Sequence, residues 1–482
     1  MLQFAPDATD VAPEVLSLVS GIPTMRGYRS PPAGSSSIAS ALSEAPKGGA
    51  VVLTIDGAQH VFAGTGSYLY RLSSGTWNNV SRTGNYTVLG NPAAGYRWRF
   101  ASFGNHVYAA TGPKALFSSV STAVQLQSIN IKTGASTFGN VDAPAATCIA
   151  AVGNFLFLGN LTDATMSTSP GFGTQGNRWW CSGLFDAQSI WTPSVTTQCT
   201  SGLLVDTPGE ISAIAELDGA AIVYKNSSIY RGEYVGPPEA WRFRVVAEEV
   251  GTYSQECVVN TGDRHFFIGG RDIYEFNGVR PVAIGAPVRE WFFARVTKEG
   301  LSKIQAMHDP NTQTIFWFYP ADPSSTLDSC LVYHYGSQRF GHFSMAISEV
   351  LENVGGSAVT ADGSTSVSQL NRMYLDGSYA TKSLTAAGTA FTCTTNWTGD
   401  DTNVTLCRRV RPKFRTVPSD GTLTPSGCMY VGGTVTTGSA ATISSNRFDF
   451  LQAARYHRFA LSLTGDTEIE VINPEIVPQG LE

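Results

Sequence analysis

The sequence predicts an all-β protein: a β-propeller-like body of six to seven blades, an extended N-terminal arm and a C-terminal β-sandwich-like region. Three observations lead there. Strand-like segments ending in an aliphatic and then an aromatic residue recur along the chain. Helical periodicity is scarce. Turn formers are dense, with Gly 49 and Pro 24 among 482 residues.

Residues 1–48 hold many Pro, Ala and Ser and show no period, so they read as an extended arm rather than a domain. Residues 49–384 carry the repeat and form the predicted propeller. Its copies are Tyr68-Leu69-Tyr70, Ala115-Leu116-Phe117, Gly183-Leu184-Phe185, Ser228-Ile229-Tyr230, Asp272-Ile273-Tyr274, Leu331-Val332-Tyr333 and Arg372-Met373-Tyr374. The closing aromatics are 47, 68, 45, 44, 59 and 41 residues apart, around the period of a propeller blade. A turn and an apolar strand precede most copies, as in Gly104-Asn105-His106-Val107-Tyr108-Ala109. A second turn and an aromatic follow, at Trp77, Trp191, Trp241 and Phe343. Each unit therefore reads strand, turn, strand, turn, strand. The two long spacings require loop insertions, placed at 165–176 and 321–328. One helix is expected from Pro287, where Val288, Phe292 and Val296 stand at helical spacing beside Trp291. Residues 385–482 alternate apolar and polar positions, most clearly in Tyr456-His457-Arg458-Phe459-Ala460-Leu461-Ser462-Leu463, which predicts an antiparallel sandwich or sheet.

Composition narrows the function. Charged residues make up 15% of the chain, against about 25% in ordinary soluble proteins, which points to surface covered by other subunits. The 32 basic and 38 acidic residues leave a net charge of −6, which argues against a protein that grips nucleic acid by neutralising phosphates. No run of about 18 apolar residues occurs, so no membrane-spanning helix is expected. The first residues lack the basic and apolar regions of a signal peptide. Eight cysteines (148, 181, 199, 257, 330, 393, 407 and 428) form no C-x-x-C pair and read as buried apolar residues rather than a zinc or disulfide framework. Arg outnumbers Lys by 24 to 8, and guanidinium suits forked hydrogen bonding at interfaces.

Motifs for chemistry are sparse. Gly171-Phe172-Gly173-Thr174-Gln175-Gly176 matches a dinucleotide fingerprint, but Ser and Pro precede it and Asn177-Arg178-Trp179-Trp180 follows, without the required strand and helix. Carboxylate neighbours Glu248-Glu249 and Asp400-Asp401 point to opposite faces if they lie on strands, and the seven histidines lack ligand spacing. No enzyme activity, metal or cofactor is expected. Arg97-Trp98-Arg99-Phe100 and Trp241-Arg242-Phe243-Arg244 put aromatics on one strand face and Arg on the other. Either each is an outer blade strand with a solvated face, or the arginines fork onto carboxylates of a neighbouring subunit. The densest basic cluster, residues 408–415, places Arg409, Arg411, Lys413 and Arg415 on one face, as a solvated, intersubunit or DNA-facing stripe. Pro412 within it implies an edge strand or a bulge.

Four stretches resemble the tail nozzle, or hub, proteins of short-tailed bacteriophages. They are Gly21-Ile22-Pro23-Thr24-Met25-Arg26-Gly27-Tyr28-Arg29, Trp180-Cys181-Ser182-Gly183-Leu184-Phe185-Asp186-Ala187-Gln188-Ser189-Ile190-Trp191-Thr192, His265-Phe266-Phe267-Ile268-Gly269-Gly270-Arg271-Asp272-Ile273-Tyr274-Glu275-Phe276-Asn277-Gly278, and the ending Ala454-Arg455-Tyr456-His457-Arg458-Phe459 with Ile476-Val477-Pro478-Gln479-Gly480. The resemblance implies a non-enzymatic structural protein of the virion tail, assembled in the host cytoplasm as a homo-oligomeric ring of six copies. It implies contacts with a portal adaptor, with tailspike or fibre and with needle or tip proteins. The lumen of such a ring conducts double-stranded DNA during ejection, and a mildly acidic wall lets a polyanion slide. A glycan-binding or glycan-cleaving propeller, such as a receptor-binding protein, is the alternative.

Overall fold

The computed structural model describes residues 2–8, 14–53, 59–81, 86, 97–111, 124–137, 143–162, 174–324, 326–354, 372–385, 388 and 390–478. Among them the regular structure is nearly all strand, arranged as seven sheets of three to five strands and two further sheets of eight and five. The first strands of the small sheets are Pro46–Leu53, Arg99–Phe103, Ala145–Val152, Ile211–Leu217, Val259–Asn260, Gln305–Asp309 and Glu349–Val350. Each touches the next, and the seventh touches the first, so the sheets close into a ring around these inner strands. This is a β-propeller body, and we number its blades 1 to 7 in that order. Blades 2 to 6 have four strands each and blade 7 has three. Ring closure is made by Glu352–Asn353, which pairs in parallel with Ala50 and Val51 at the inner edge of blade 1.

The aliphatic-aromatic repeat marks the third strand of four blades: Tyr70 in Leu69–Ser73, Tyr230 in Ser228–Gly236, Tyr274 in Ile273–Phe276 and Tyr333 in Leu327–His334. The preceding apolar strand is the second, and Trp77, Trp241 and Phe343 lie on the fourth. The three-strand unit legible in the sequence therefore lacked the innermost strand. Two copies depart from the pattern. Phe185 sits in a turn with φ of 60°, 70% exposed, because the third strand of blade 3 is Thr174–Cys181. Tyr374 is in the middle strand of blade 7, while Phe117 lies outside the described residues. Of the expected insertions, 321–328 joins two strands of blade 6; most of 165–176 lies outside the described residues.

Hairpin turns fix the registers. Ser74-Gly75 and Asp218-Gly219 both take two successive positive φ values, the geometry of the tight turn whose twist matches a hairpin. Side chains then alternate. In blade 6, Phe316 and Phe318 pack toward blade 7, whereas Ile315, Trp317 and Tyr319 join a different cluster.

The sandwich uses both ends of the chain. One sheet runs Gln3–Phe4, Val15–Ser20, Ala390–Thr395, Tyr456–Thr464, Asp420–Cys428, Thr436–Thr437; the other runs Ile22–Pro23, Tyr28–Arg29, Glu468–Pro478, Thr405–Thr416, Phe448–Ala454. Phe391, Cys393, Leu423, Phe459, Leu461 and Leu463 face Val410, Phe448, Ile469 and Ile472 in one buried core. That core continues into blades 5 and 6 and the short helices Arg289–Phe293 and Lys298–Leu301, through Val288, Trp291, Phe292 and Val296. Asp7 caps the first helix, accepting from the N–H groups of Glu290 at 2.7 Å and Trp291 at 2.9 Å. The expected arm is thus extended but not free: it adds strands to both sandwich sheets and then runs beside the last strand of blade 7, with Ser35 donating to the Ser383 carbonyl and Ile38 to that of Thr381.

Tyr28 is the joint. Its buried hydroxyl accepts from the Phe4 N–H at 2.6 Å and donates to the Phe340 carbonyl at 2.7 Å, linking chain start, sandwich and blade 6. Replacing Tyr28 with Phe leaves a buried N–H and a buried carbonyl without that partner. We expect a loss of about 1–3 kcal/mol, read as a lower urea midpoint at unchanged slope.

Candidate functional site

The basic stripe lies on Thr405–Thr416, the strand between Glu468–Pro478 and Phe448–Ala454. Its alternation is as expected, with Val410 and Pro412 buried and Arg411 and Lys413 exposed. The neighbouring strands answer most of the charge. Arg409 meets Asp449 at 3.2 Å and Glu475 at 3.6 Å, Lys413 meets Glu470 at 2.7 Å, and Arg415 approaches Glu468 at 3.8 Å. Arg411 forms no ion pair among the described residues. A stripe so neutralised offers a phosphate backbone few free cations. Pairing toward Phe448–Ala454 stops at Val410, so Pro412 stands where that edge is open, and a bulge follows at Lys413 and Phe414.

The two Arg-aromatic segments part company. Trp241-Arg242-Phe243-Arg244 lies on the outermost strand of blade 4, with Arg242 paired to Glu239 at 2.5 Å in solvent. Arg97-Trp98-Arg99-Phe100 leads into the innermost strand of blade 2. Trp98 and Phe100 are buried in a cluster with Phe62 and Val107, and the Trp98 indole donates to the Thr65 carbonyl. Both arginines point to the propeller axis. The bidentate carboxylate partner is there, within the same chain: Arg99 holds Glu256 at 2.7 and 3.1 Å. Alternation told which residues share a face; it could not tell that this face is the axis.

This axial network gathers ionic and amide side chains in a largely buried place. Arg97 lies between Glu256, at 3.0 Å, and Glu349, and donates to the latter. Glu256 and Glu349 are 8% and 2% exposed. Glu256 also accepts from the Ser254 hydroxyl at 2.6 Å, and Arg99 donates to the Thr147 carbonyl at 2.9 Å. Two glutamines complete the plug. The Gln255 carboxamide accepts from the Ile149 N–H and donates to its carbonyl, and Gln305 accepts from the Val350 N–H. Blades 2, 3, 6 and 7 and the segment before blade 5 are thereby tied across the axis. No signal in the sequence paired Arg97 with Glu256 or Glu349, which are more than 150 residues away.

Burial alone would raise the Glu256 carboxyl, but Arg99 and Arg97, with the Arg99 and Ser254 hydrogen bonds, hold it well below the ordinary carboxylate range. Glu349 goes the other way: burial raises it to about 7, with the Glu256 charge adding to the rise and Arg97 opposing it. On one side of the plug the axis opens into a funnel of roughly 470 Å³ walled by Ala, Val and Ile side chains, with Glu216 and His308 among its lining. Burial lowers His308 to about 4. Of the carboxylate pairs, Asp400 accepts from the Thr402 and Asn403 N–H groups in a surface turn, and Asp401 accepts from the Tyr456 hydroxyl. The second half of the glycine motif, Thr174-Gln175-Gly176, opens the strand Thr174–Cys181, and Gly171-Phe172-Gly173 lies outside the described residues. All eight cysteines are buried and unpaired.

Glu256→Gln leaves the mostly buried Arg99 without its carboxylate partner and Arg97 with Glu349 alone, and we expect it to cost about 3–5 kcal/mol. Glu349 acts with opposite sign in pH. Its folded-state carboxyl titrates above its unfolded value, so its contribution is full below about pH 4.5 and fades as pH rises toward 7. Glu349→Gln should therefore flatten the fall in stability between pH 5 and 8 that the parent shows, as measured by urea unfolding across that range.

No family model matches the sequence, and no curated protein matches it. Three solved structures show a loose likeness. One is the extracellular domain of the putative hybrid two component system BT4673 from B. thetaiotaomicron, at 9% identity and a TM-score of 0.40 over 88% of this chain. The alignment takes in 47% of that protein, so the chain spans about half its length. Another is apo AztD from Citrobacter koseri, at 11% identity and TM-score 0.30, covering 59% of this chain and 69% of that one. The third is the Pan2 WD40 domain of Neurospora crassa, at 7% identity and TM-score 0.36, covering 65% of this chain and 84% of that one.

Proposed function

We propose that this chain is a non-enzymatic ring component of a short-tailed phage tail, the nozzle that extends the DNA-ejection channel below the portal adaptor. The resemblance of four stretches supplies the reading. The observation that carries it physically is the segment 421–446, which contains no Asp, Glu, Lys, Arg or His. Much of it is nonetheless at the surface, with Met429 51%, Tyr430 63% and Val431 55% exposed. A long exposed stretch without charge is poorly suited to water and well suited to burial against another subunit. A heterologous contact of this kind closes into a ring when its rotation divides the circle.

The axial plug adds a constraint. Arg97, Arg99, Glu256 and Glu349 fill the propeller bore, so the DNA channel of this reading runs between subunits and not through one. The net charge of −6 suits a wall that duplex DNA passes without adhering. Portal adaptor, tailspike or fibre, and needle or tip proteins are the partners that the resemblance implies.

Electron microscopy of the purified protein tests this. We expect a ring, six-fold if the resemblance holds, with an open axial channel. Tyr430→Glu combined with Val431→Glu should disperse it to monomers with an unchanged unfolding midpoint. A monomer at every concentration, or absence of the protein from virions, would sink the reading.

A further inference from the structure

We infer that the funnel at the centre of the propeller is a docking site for an extended peptide segment of a partner protein, small and uncharged where it enters and basic at the mouth. This goes beyond the ring reading and does not depend on it. The argument begins at the inner strand edges. On an antiparallel ladder the N–H and C=O of alternate residues face the same edge. Along Ala145–Val152 that inner edge is visibly in use. The Thr147 carbonyl takes Arg99, and two residues on, Ile149 gives both its N–H and its carbonyl to the Gln255 carboxamide, at 3.3 and 2.8 Å. The carboxamide thus stands where a peptide unit of an added strand would stand.

Two further residues along comes Ala151. Its main-chain groups face the same edge, it lines the funnel, and among the described residues nothing hydrogen-bonds to it there. Ser102 holds the equivalent position in blade 2, one residue before the Phe103–His106 pair that closes a two-residue turn. The plug therefore satisfies the lower part of the blade 3 edge and leaves its upper part open. The walls beside them are small, with Ala101, Ala150, Ala215 and Ala306, which leaves room for a backbone to approach.

Charge selects the occupant. Glu216 lines the funnel and Asp218 stands in the turn that follows; neither forms an ion pair among the described residues. The nearby Arg264 is committed to Asp263 and Glu275, each at 2.6 Å. An acidic mouth over a wall whose one buried charge, Glu256, is already answered by Arg97 and Arg99 disfavours nucleic acid and favours a peptide with Lys or Arg at that level.

The test is fluorescence anisotropy on the purified full-length protein with three labelled hexapeptides. The probe is Ala-Val-Ala-Val-Lys-Lys; the others replace Lys by Glu or methylate alternate backbone nitrogens. We expect micromolar binding of the probe, at least about tenfold weaker binding of the methylated form, since two or so main-chain hydrogen bonds are lost, and weaker binding of the Glu form. Ala215→Phe or Ser102→Phe, each filling the funnel, should abolish binding with the unfolding midpoint retained. Glu216→Gln with Asp218→Asn should remove the preference for Lys. No binding of the probe, equal binding of the methylated form, or displacement by maltohexaose would overturn the proposal.

Discussion

Closing a ring of sheets brings every inner strand edge to one axis, and those edges carry main-chain groups with no strand to pair with. The rest of this molecule depends on how they are satisfied. Here the solution is ionic and amidic: two arginines, two glutamates and two glutamines from the inner strands and the segment before blade 5 converge on the bore. A buried network of this kind stabilises only while complete, because any lone member is a desolvated charge. Completeness requires that blades 2 and 7, distant in sequence, both be in place. The network therefore checks that the ring has closed, in addition to holding it.

The second dependency is the shared core. Tyr28 sits where strands from both chain ends meet blade 6, and Gly27 beside it has no room for a Cβ, whose nearest neighbour would be the Ile469 carbonyl at 2.0 Å. Sandwich and propeller are thus fused through continuous apolar packing rather than joined by a linker. Within the sandwich, the bidentate pair of Arg29 with Asp466 ties the N-terminal strands to the C-terminal ones.

Sequence periodicity revealed the all-β class, the repeat and a helix near Pro287, because each is a local pattern of side chains, but the helix is only Arg289–Phe293, with Val288 at its N-cap and Val296 beyond its end. It showed three strands per blade and missed the innermost. Strands such as Val259–Asn260 and Glu349–Val350 are two residues long and carry no period to read. Phe185 misled because Leu184-Phe185 copies the motif while the ladder of blade 3 has already ended at Cys181. The basic stripe was placed on the right strand face, but its meaning lay in Asp449, Glu468, Glu470 and Glu475, which only pairing brings alongside. Arg97 and Arg99 are the sharper case. An arginine flanked by aromatics looks like surface until the fold shows that its face is the axis.

The sandwich is built from residues 2–29 and 390–478, so the propeller is an insertion between two strands of a neighbouring domain. The chain enters the ring at Pro46 and leaves it after Ser383, on adjacent blades, and Ser35 is hydrogen-bonded to Ser383 beside that point. Entry and exit thus lie side by side. A mechanical load on the sandwich reaches the ring along these paired strands and through the core it shares with blades 5 and 6, so the two move together. No tension runs around the circumference to peel one blade from the next. Because both ends of the propeller run into strands of the same neighbouring domain, no blade carries a free terminus from which the ring could unzip.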